Sequence, residues 1–197
     1  MATHVRVSEI LSRLQSFADI DPEVLAAKSL IGTNVHKAIL QDCEGEFAIL
    51  ESDRARAYYQ SYEVWRKTNT DPIKQIPRLY CDTLMLTGEC DGLLNNEHII
   101  DWKCSASANQ KIWNMQAHFY WYLLKQNGHN PSHTMTWVNL RHKKLIKKDP
   151  KTNIGEFVYL PLDPIAYEFK FNENVLSDCI DEVHKYWHEH FSAKCIA

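Results

Sequence analysis

Apolar residues recur at helical spacing in three segments of the first third of the chain. The first segment predicts a short helix from Ser8, a suitable N-cap, to about Phe17. The second begins at Asp21-Pro22-Glu23, which places a hydrogen-bond acceptor at the cap and a proline at the first helical position. This helix is expected to extend to about Cys43, and a third is expected from about Asp53 to Lys67.

From residue 73 the pattern changes to short β-prone runs, with Asn95-Asn96 as a turn signal between the last two. Four strands are predicted, namely Ile76–Cys81, Thr83–Cys90, Gly92–Leu94 and His98–Cys104. We expect them to form one antiparallel meander. A helix from about Asn109 to Gln126 should follow, because Asn127-Gly128 is typical of a helix C-terminus.

The remainder is predicted to contain two strands, His133–Leu140 and Glu156–Leu162, and then a mainly helical tail from about 164 to 191. The predicted order along the chain is helices, a meander, a helix and further strands. This order indicates an α/β fold with a mixed central sheet flanked by helices. The chain has 197 residues, of which 45% are hydrophobic. That is enough for one substantial core, so we expect a single domain over residues 1–197.

Composition narrows the classes of function. No apolar run approaches the ~20 residues that span a bilayer, and the N-terminus lacks the apolar stretch of a secretory signal. We therefore expect a soluble intracellular protein that does not enter a membrane. Six cysteines are present without a C-x-x-C pair, which argues against a zinc knuckle and against a disulfide framework.

Positive charge is concentrated in residues 141–151, which hold six Lys/Arg and one Asp in a chain of formal net charge -3. Such a run has two interpretations. It can be a solvated hairpin, or it can bind the phosphate backbone of a nucleic acid, in which case binding should weaken with salt. The candidate phosphate contacts are Lys143, Lys144, Lys147 and Lys148.

The candidate chemistry lies in the segment Gly88–Lys103. Side chains alternate along a strand, so Asp101 and Lys103 should share one face, at the end of a buried run that includes Ile100. Asp91 lies ten residues earlier, on the adjoining arm of the expected hairpin, and can supply a second carboxylate. Two such carboxylates form a hard oxygen site suited to Mg²⁺ or Mn²⁺, and a nearby lysine can stabilise developing negative charge. The same spacing also fits a surface cross-strand ion pair.

Four sequence pieces together resemble the PD-(D/E)XK nuclease superfamily, and within it the RecB-like exonucleases. They occur in that family's order between residues 30 and 125: Gly32-x-x-x-His36, Gly88-x-x-Asp91, Asp101-x-Lys103 and Gln116-x-x-x-Tyr120. The resemblance implies a restriction-endonuclease-like core over about residues 30–140. Relatives with an iron–sulfur cluster carry four cluster cysteines, three of them closely spaced near the C-terminus. Here only Cys179 and Cys195 lie there, so we expect no such cluster and a likeness to compact phage and organellar exonucleases.

The resemblance also implies roles for individual residues. Asp91 and Asp101 would be ligands of Mg²⁺ or Mn²⁺ as well as catalytic carboxylates, with the main-chain carbonyl of Trp102 as a third ligand. His36 would supply a further ligand. Lys103 would be the catalytic lysine.

Gln116 and Tyr120 share a helix face and would line the site and contact DNA. Plainer interpretations stand beside these. Gln116 and Tyr120 lie in an aromatic-rich helix that can simply face the core, and His36 taken alone is an ordinary helical histidine. Glu89 is a candidate extra ligand if the strand before Asp91 is regular.

The implied activity is that of a metal-dependent DNA exonuclease acting at DNA ends, in recombination, repair or nucleic-acid processing. Two alternatives are a structure-selective endonuclease of the same fold and a catalytically silent DNA-binding module. The implied partner is DNA, and a single-strand annealing or recombination protein and further copies of the chain are candidates too. The implied location is the cytoplasm of a bacterium or of a phage host, with organelle and nucleus as alternatives.

Overall fold

A computed structural model of the protein describes residues 4–15, 20–148 and 155–194. The helices in these residues are α1 (Val7–Arg13), α2 (Pro22–Cys43), α3 (Asp53–Thr68), α4 (Gln110–Gln126) and α5 (Glu173–Lys194). The strands are β1 (Val5–Arg6), β2 (Ile73–Lys74), β3 (Leu79–Cys81), β4 (Leu86–Gly88), β5 (Gly92–Leu94), β6 (His98–Lys103), β7 (Thr134–Lys148) and β8 (Gly155–Lys170). None of the helices in the described ranges is long and apolar enough to cross a membrane.

Side-chain caps fix the start of the central helices where the sequence predicts them. Asp21 accepts a hydrogen bond from the Glu23 N–H at 2.8 Å and begins α2. Ser52 caps α3 and Asn109 caps α4 in the same way, each through the N–H three residues ahead. The predictions for these three helices are confirmed. Helix α1 ends earlier than predicted, at Arg13, and Phe17 lies outside the described residues.

The central sheet has five strands in the order β2-β5-β6-β7-β8. Strands β6 and β7 pair in parallel, with Lys103 opposite Asn139, and the other pairs are antiparallel. A parallel pair needs a crossover connection, which α4 provides. The predicted α/β fold with a mixed central sheet is confirmed.

The prediction of one antiparallel meander is wrong. Strands β3 and β4 belong to a second sheet, in which β4 pairs antiparallel with β3 and parallel with β1, so that Val5 lies opposite Leu86. Residues 89–91 leave this sheet and enter the central one at β5. The alternation of apolar residues identifies strands, but it does not specify their partners, and here the partner of β4 comes from the N-terminus.

The predicted helical tail over 164–191 is also wrong in its first part. Residues up to Lys170 continue β8, and α5 begins only at Glu173. Pro161 and Pro164 suggest the end of a strand in the sequence, but β8 is the edge strand of the sheet, where a missing N–H donor is tolerated. Strand β7 is longer than predicted as well, and it includes the lysine run.

Two apolar cores cover the two faces of the central sheet. One contains Ile99 and Trp137 together with α1, α4 and α5, and the other contains Ile100 and Trp102 together with α2 and α3. Because side chains alternate along β6, Asp101 is on the same face as Ile99, towards α4. The sheet therefore presents its carboxylate and its lysine to one layer and Trp102 to the other.

Candidate active site

Asp91, Asp101 and Lys103 come together where β5 and β6 meet. Gly92 pairs with Ile100, which sets Asp91 beside the last residues of β6. The Asp91 Oδ2 atom accepts a hydrogen bond of 2.7 Å from the Trp102 N–H, and Lys103 Nζ lies 2.5 Å from Asp101 Oδ2. The residues that the sequence pattern grouped are thus neighbours.

His36 joins the group from α2, on the opposite layer. Its Nδ1 atom lies 3.0 Å from Asp91 Oδ1, so both oxygens of Asp91 have partners. Burial alone would lower the pKa of His36, but the charge of Asp91 and the hydrogen bond between them outweigh it, and the pKa is raised. The contact with Asp91 therefore stabilises the protonated form of His36 relative to the neutral form.

The two carboxylates have different electrostatic surroundings. Asp101 is 2% exposed, and burial, followed by repulsion from Asp91, raises its pKa from 3.8 to about 6. Burial would raise the pKa of Asp91 too, but His36 and Lys103, together with the Trp102 N–H, hold it below its ordinary value. Asp91 is thus stabilised as a carboxylate, whereas the ionised form of Asp101 is destabilised by burial and by the charge of Asp91.

A cation is the group that this donor set fits. Asp101 Oδ2 is buried, and the Lys103 ammonium lies 2.5 Å from it, while the negative charge of Asp91 repels the same carboxylate. Repelling carboxylate oxygens beside an imidazole suit a hard divalent ion such as Mg²⁺ or Mn²⁺. Within residues 4–15, 20–148 and 155–194, no three His, Cys, Asp or Glu side chains converge as a complete ligand set.

Gln116 and Tyr120 lie on the α4 side of the site and bind each other. Gln116 Nε2 donates to the Tyr120 hydroxyl at 2.9 Å, and Trp137 Nε1 donates to Gln116 Oε1 at 3.2 Å. Tyr120 is buried, and its pKa is raised first by burial and then by the charges of Asp101 and Asp91. The tyrosine is therefore both a core residue and a neighbour of the carboxylates.

Gly88 allows α4 to approach the site so closely. A Cβ atom at Gly88 would lie 2.8 Å from Leu123 Cδ1, 3.0 Å from Val7 Cγ2 and 3.1 Å from Tyr120 Cε1. A larger residue at Gly88 would displace the Leu123 and Tyr120 side chains of α4. The glycine of the Gly88-x-x-Asp91 piece thus has a packing reason.

A cavity of about 790 Å³ opens beside Asp91 and His36. Helix α2 forms one wall, and the opposite wall consists of residues 75–77, 89–91 and Trp102. Its polar lining includes His36, Asp91, Lys37 and Glu89, and its apolar lining includes Leu40. Its volume lies within the range of small-molecule sites.

Sequence reasoning missed parts of these surroundings. Residues 75–77 carry no motif, and their place in the cavity wall follows only from the fold. Asn139 is buried opposite Lys103 and accepts a hydrogen bond from the Ser105 N–H at 3.3 Å. A polar residue within the apolar run Trp137–Leu140 was the available signal for it. Glu89, considered as an extra ligand, lines the cavity but pairs with Arg78 at 2.9 Å.

The four predicted phosphate-contacting lysines do not line this cavity. Lys143, Lys144, Lys147 and Lys148 are exposed on the outer half of β7, from about 14 to about 30 Å beyond Asn139 at ~3.4 Å per residue. Residues 141–148 of β7 pair with residues 155–162 of β8 and form a two-stranded ribbon, here called the β7–β8 ribbon. Because side chains alternate along a strand, Lys143 and Lys147 lie on one face of this ribbon and Lys144 and Lys148 on the other. The ammonium of Lys144 lies 3.5 Å from the centre of the Phe157 ring.

Comparisons with known proteins identify the fold. No family model matches the chain, and no curated protein matches its sequence. The alkaline exonuclease LHK-Exo from Laribacter hongkongensis is similar in structure over 98% of this chain and 95% of that one, with a TM-score of 0.50 and 12% identity. A phage-related exonuclease from Haemophilus somnus 129PT covers 98% and 97%, with a TM-score of 0.49 and 16% identity. The complex of LHK-Exo with dAMP covers 96% and 89%, with a TM-score of 0.48 and 12% identity.

The fold of this chain is therefore similar to that of the alkaline exonuclease LHK-Exo. This agrees with the resemblance drawn from Asp91, Asp101 and Lys103. At 12% identity the likeness concerns the fold, and function has to be argued from the site itself.

Proposed function

We propose that the protein is a Mg²⁺- or Mn²⁺-dependent deoxyribonuclease that hydrolyses phosphodiester bonds at DNA ends. The observation that carries this proposal is the cluster in which Asp91 contacts His36 and Trp102 N–H while Lys103 contacts the buried Asp101. The nuclease fold supports it. Recombination, repair or nucleic-acid processing would be the setting, with a single-strand annealing or recombination protein as a candidate partner.

The residues that would hold the ion are Asp91, Asp101, His36 and the main-chain carbonyl of Trp102. The carbonyl belongs to this set through the resemblance to the nuclease family, and among the described residues the side chains alone do not form a complete set. The divalent ion, when bound, would neutralise a phosphate oxygen and acidify a bound water. The Asp101 carboxylate is buried and repelled by Asp91, so a bound divalent ion would stabilise it in its ionised form.

Lys103 would act on the reacting phosphate. Its ammonium lies in contact with Asp101, so it is held at the site and is only partly exposed. A positive charge fixed there stabilises the negative charge that develops on phosphate oxygens as water attacks. His36 and the Trp102 N–H would keep Asp91 ionised and oriented.

Gln116 would contact DNA near the scissile phosphate, and Tyr120 would hold it in place. The hydrogen bond from Gln116 Nε2 to Tyr120 and the one from Trp137 to Gln116 Oε1 fix the amide between them. Gln116 is only half-buried, which leaves it accessible to a strand that lies across α4. The lysines of the β7–β8 ribbon would bind the phosphate backbone farther from the cut.

An exonuclease is favoured over an endonuclease because the cavity beside Asp91 is lined by both charged and apolar side chains. A terminal nucleotide likewise combines a charged phosphate with a largely apolar base. The test uses linear DNA labelled at each end and covalently closed circular DNA, both with Mg²⁺ or Mn²⁺. We expect the linear DNA to be degraded from an end and the circle to persist, and equal cutting of the circle would instead establish the endonuclease.

The site is tested by substituting Lys103→Met, which keeps the length of the side chain and removes its charge. We expect cleavage to fall at least a hundredfold while DNA binding in the absence of cleavage is retained. Lys67→Met is the matched control, because Lys67 is exposed in the last turn of α3, distant from the site. Cleavage by Lys103→Met at the wild-type rate would disprove the assignment.

A further inference from the structure

Gly32 lies in the interior of α2, one turn before His36, and lines the cavity. Glycine is among the poorest helix formers, because it loses the most conformational freedom when it is fixed. A glycine in the middle of a 22-residue helix therefore needs a reason.

The described part of the chain provides no reason of its own. A Cβ atom built at Gly32 would meet no heavy atom within 4 Å among the described residues, so packing does not require a glycine there. Every other glycine is explained by the fold itself. The backbone is left-handed at Gly45 and Gly128. A Cβ atom at Gly88, Gly92 or Gly155 would lie 2.8 Å or less from a neighbouring atom.

We propose that Gly32 keeps the wall of α2 open to the sugar–phosphate backbone of the strand that is cut, so that this strand packs directly against the helix. The inference rests on the proposed function and assigns a positioning residue to it. A missing Cβ is what close approach to a helix requires, and the open space at Gly32 faces the cavity that Asp91 and His36 share.

The charge of the same wall fits this ligand. Lys37 is exposed, lines the cavity, and follows His36 directly on α2. An ammonium beside an open stretch of helix suits a phosphodiester, whose anion it can pair with while the sugar approaches the glycine. An uncharged small molecule could occupy the space at Gly32, but it would make no ion pair with Lys37.

Substitutions at Gly32 should separate stability from activity. Gly32→Ala should raise the unfolding temperature by about 2–4 °C, because alanine is the better helix former. It should also raise the KM for DNA and lower kcat/KM about tenfold to a hundredfold, since a strand displaced by ~1 Å is poorly aligned with the site. Gly32→Leu should lose more. A residue with a purely structural role would not lose activity while it gains stability.

The experiment measures thermal unfolding, binding of end-labelled DNA and kcat/KM on that DNA for the wild type, Gly32→Ala and Gly32→Leu. Ala27→Leu is the control, because Ala27 is exposed on α2 outside the cavity wall, and it should leave all three unchanged. Stable Gly32 variants with weakened binding and cleavage support the inference.

Wild-type kcat/KM in Gly32→Leu would overturn the inference and leave the proposed function intact. Loss of activity together with a lower unfolding temperature in both variants would overturn it as well, by assigning Gly32 a structural role. A wild-type protein that neither binds nor cleaves DNA would overturn the proposed function itself, and this inference with it.

Discussion

Asp101→Asn should stabilise the metal-free protein while it abolishes cleavage. The wild-type carboxylate is buried beside Asp91, and these two effects raise its pKa from 3.8 to about 6. Asparagine has nearly the same shape and carries no charge. Above pH 6 the substitution therefore removes an ionised group that the folded protein disfavours.

The size of the effect follows from the pKa shift. A rise of about two pKa units corresponds to about 3 kcal/mol, at ~1.4 kcal/mol per unit. Because the folded pKa is the higher one, the folded state binds the proton more tightly than the unfolded state. The stability that the protonated acid contributes is complete below pH 3.8 and is lost as the pH rises through about 6. In a chain of this size about 3 kcal/mol raises the unfolding temperature by on the order of 10 °C.

The assay is thermal unfolding with a chelator present, at pH 8 and at pH 4.5. Asp101→Asn should unfold well above the wild type at pH 8, and the advantage should shrink at pH 4.5, where the wild-type acid is itself protonated. Asp181→Asn, an exposed substitution on α5, is the control and should change little at either pH.

A divalent ion should reverse the order of stability, so that the wild type unfolds at a higher temperature than Asp101→Asn. Saturating Mn²⁺ binds only the folded wild type and stabilises it by mass action, whereas Asp101→Asn lacks one of the proposed ligands and should gain less. If Asp101→Asn is no more stable than the wild type at pH 8 in chelator, the electrostatic account of the site is wrong.

Three further predictions test other parts of the structure. Gly88→Ala should destabilise the protein by about 1–3 kcal/mol and reduce cleavage, since its Cβ would collide with Leu123 and Tyr120; an unchanged urea midpoint would contradict this. His118 is buried as a neutral ring that donates to the Asn114 carbonyl and accepts from the Asn172 N–H, and burial lowers its pKa below 6.5. The stability that neutral His118 contributes is therefore present above pH 6.5 and lost as the pH falls. The wild type should unfold at a higher temperature than His118→Gln at pH 7.5, and this difference should narrow at pH 5.5. A difference that stays constant between the two pH values would contradict the prediction. The lysines of the β7–β8 ribbon can be replaced by glutamine in two pairs, 143 with 147 and 144 with 148. The pair on the face that binds DNA should, when replaced, weaken the dependence of DNA binding on salt concentration. If neither pair changes that dependence, the ribbon is a solvated hairpin.

Local signals account for the parts of the fold that the sequence predicted. Asp21, Ser52 and Asn109 cap α2, α3 and α4, and each acts within three residues of itself. The alternation along β6 likewise places Asp101 and Lys103 on one face without reference to the rest of the chain. Such features depend on neighbours in sequence, which is why pattern alone predicts them.

Pairing between distant segments accounts for what the pattern could not predict. Nothing near Leu86 indicates that β4 will pair with Val5 rather than with β5. The contact between His36 and Asp91 joins α2 to the start of β5, and only the likeness to a nuclease family suggested it. The edge position that lets β8 contain Pro164 is equally a property of the whole sheet.

The break between the two sheets explains why the site lies where it does. Because residues 89–91 leave β4 and enter β5, Asp91 sits at a strand end, where its carboxylate can accept from the Trp102 N–H and still reach His36 on the opposite layer. A continuous meander would have kept Asp91 within a regular ladder, with its side chain confined to one face. Asp101, by contrast, lies inside β6, and its carboxylate is buried close enough to Asp91 to be repelled by it. The fold thus forces one carboxylate against another that the chain holds ionised, and a bound cation would relieve the repulsion that this geometry creates.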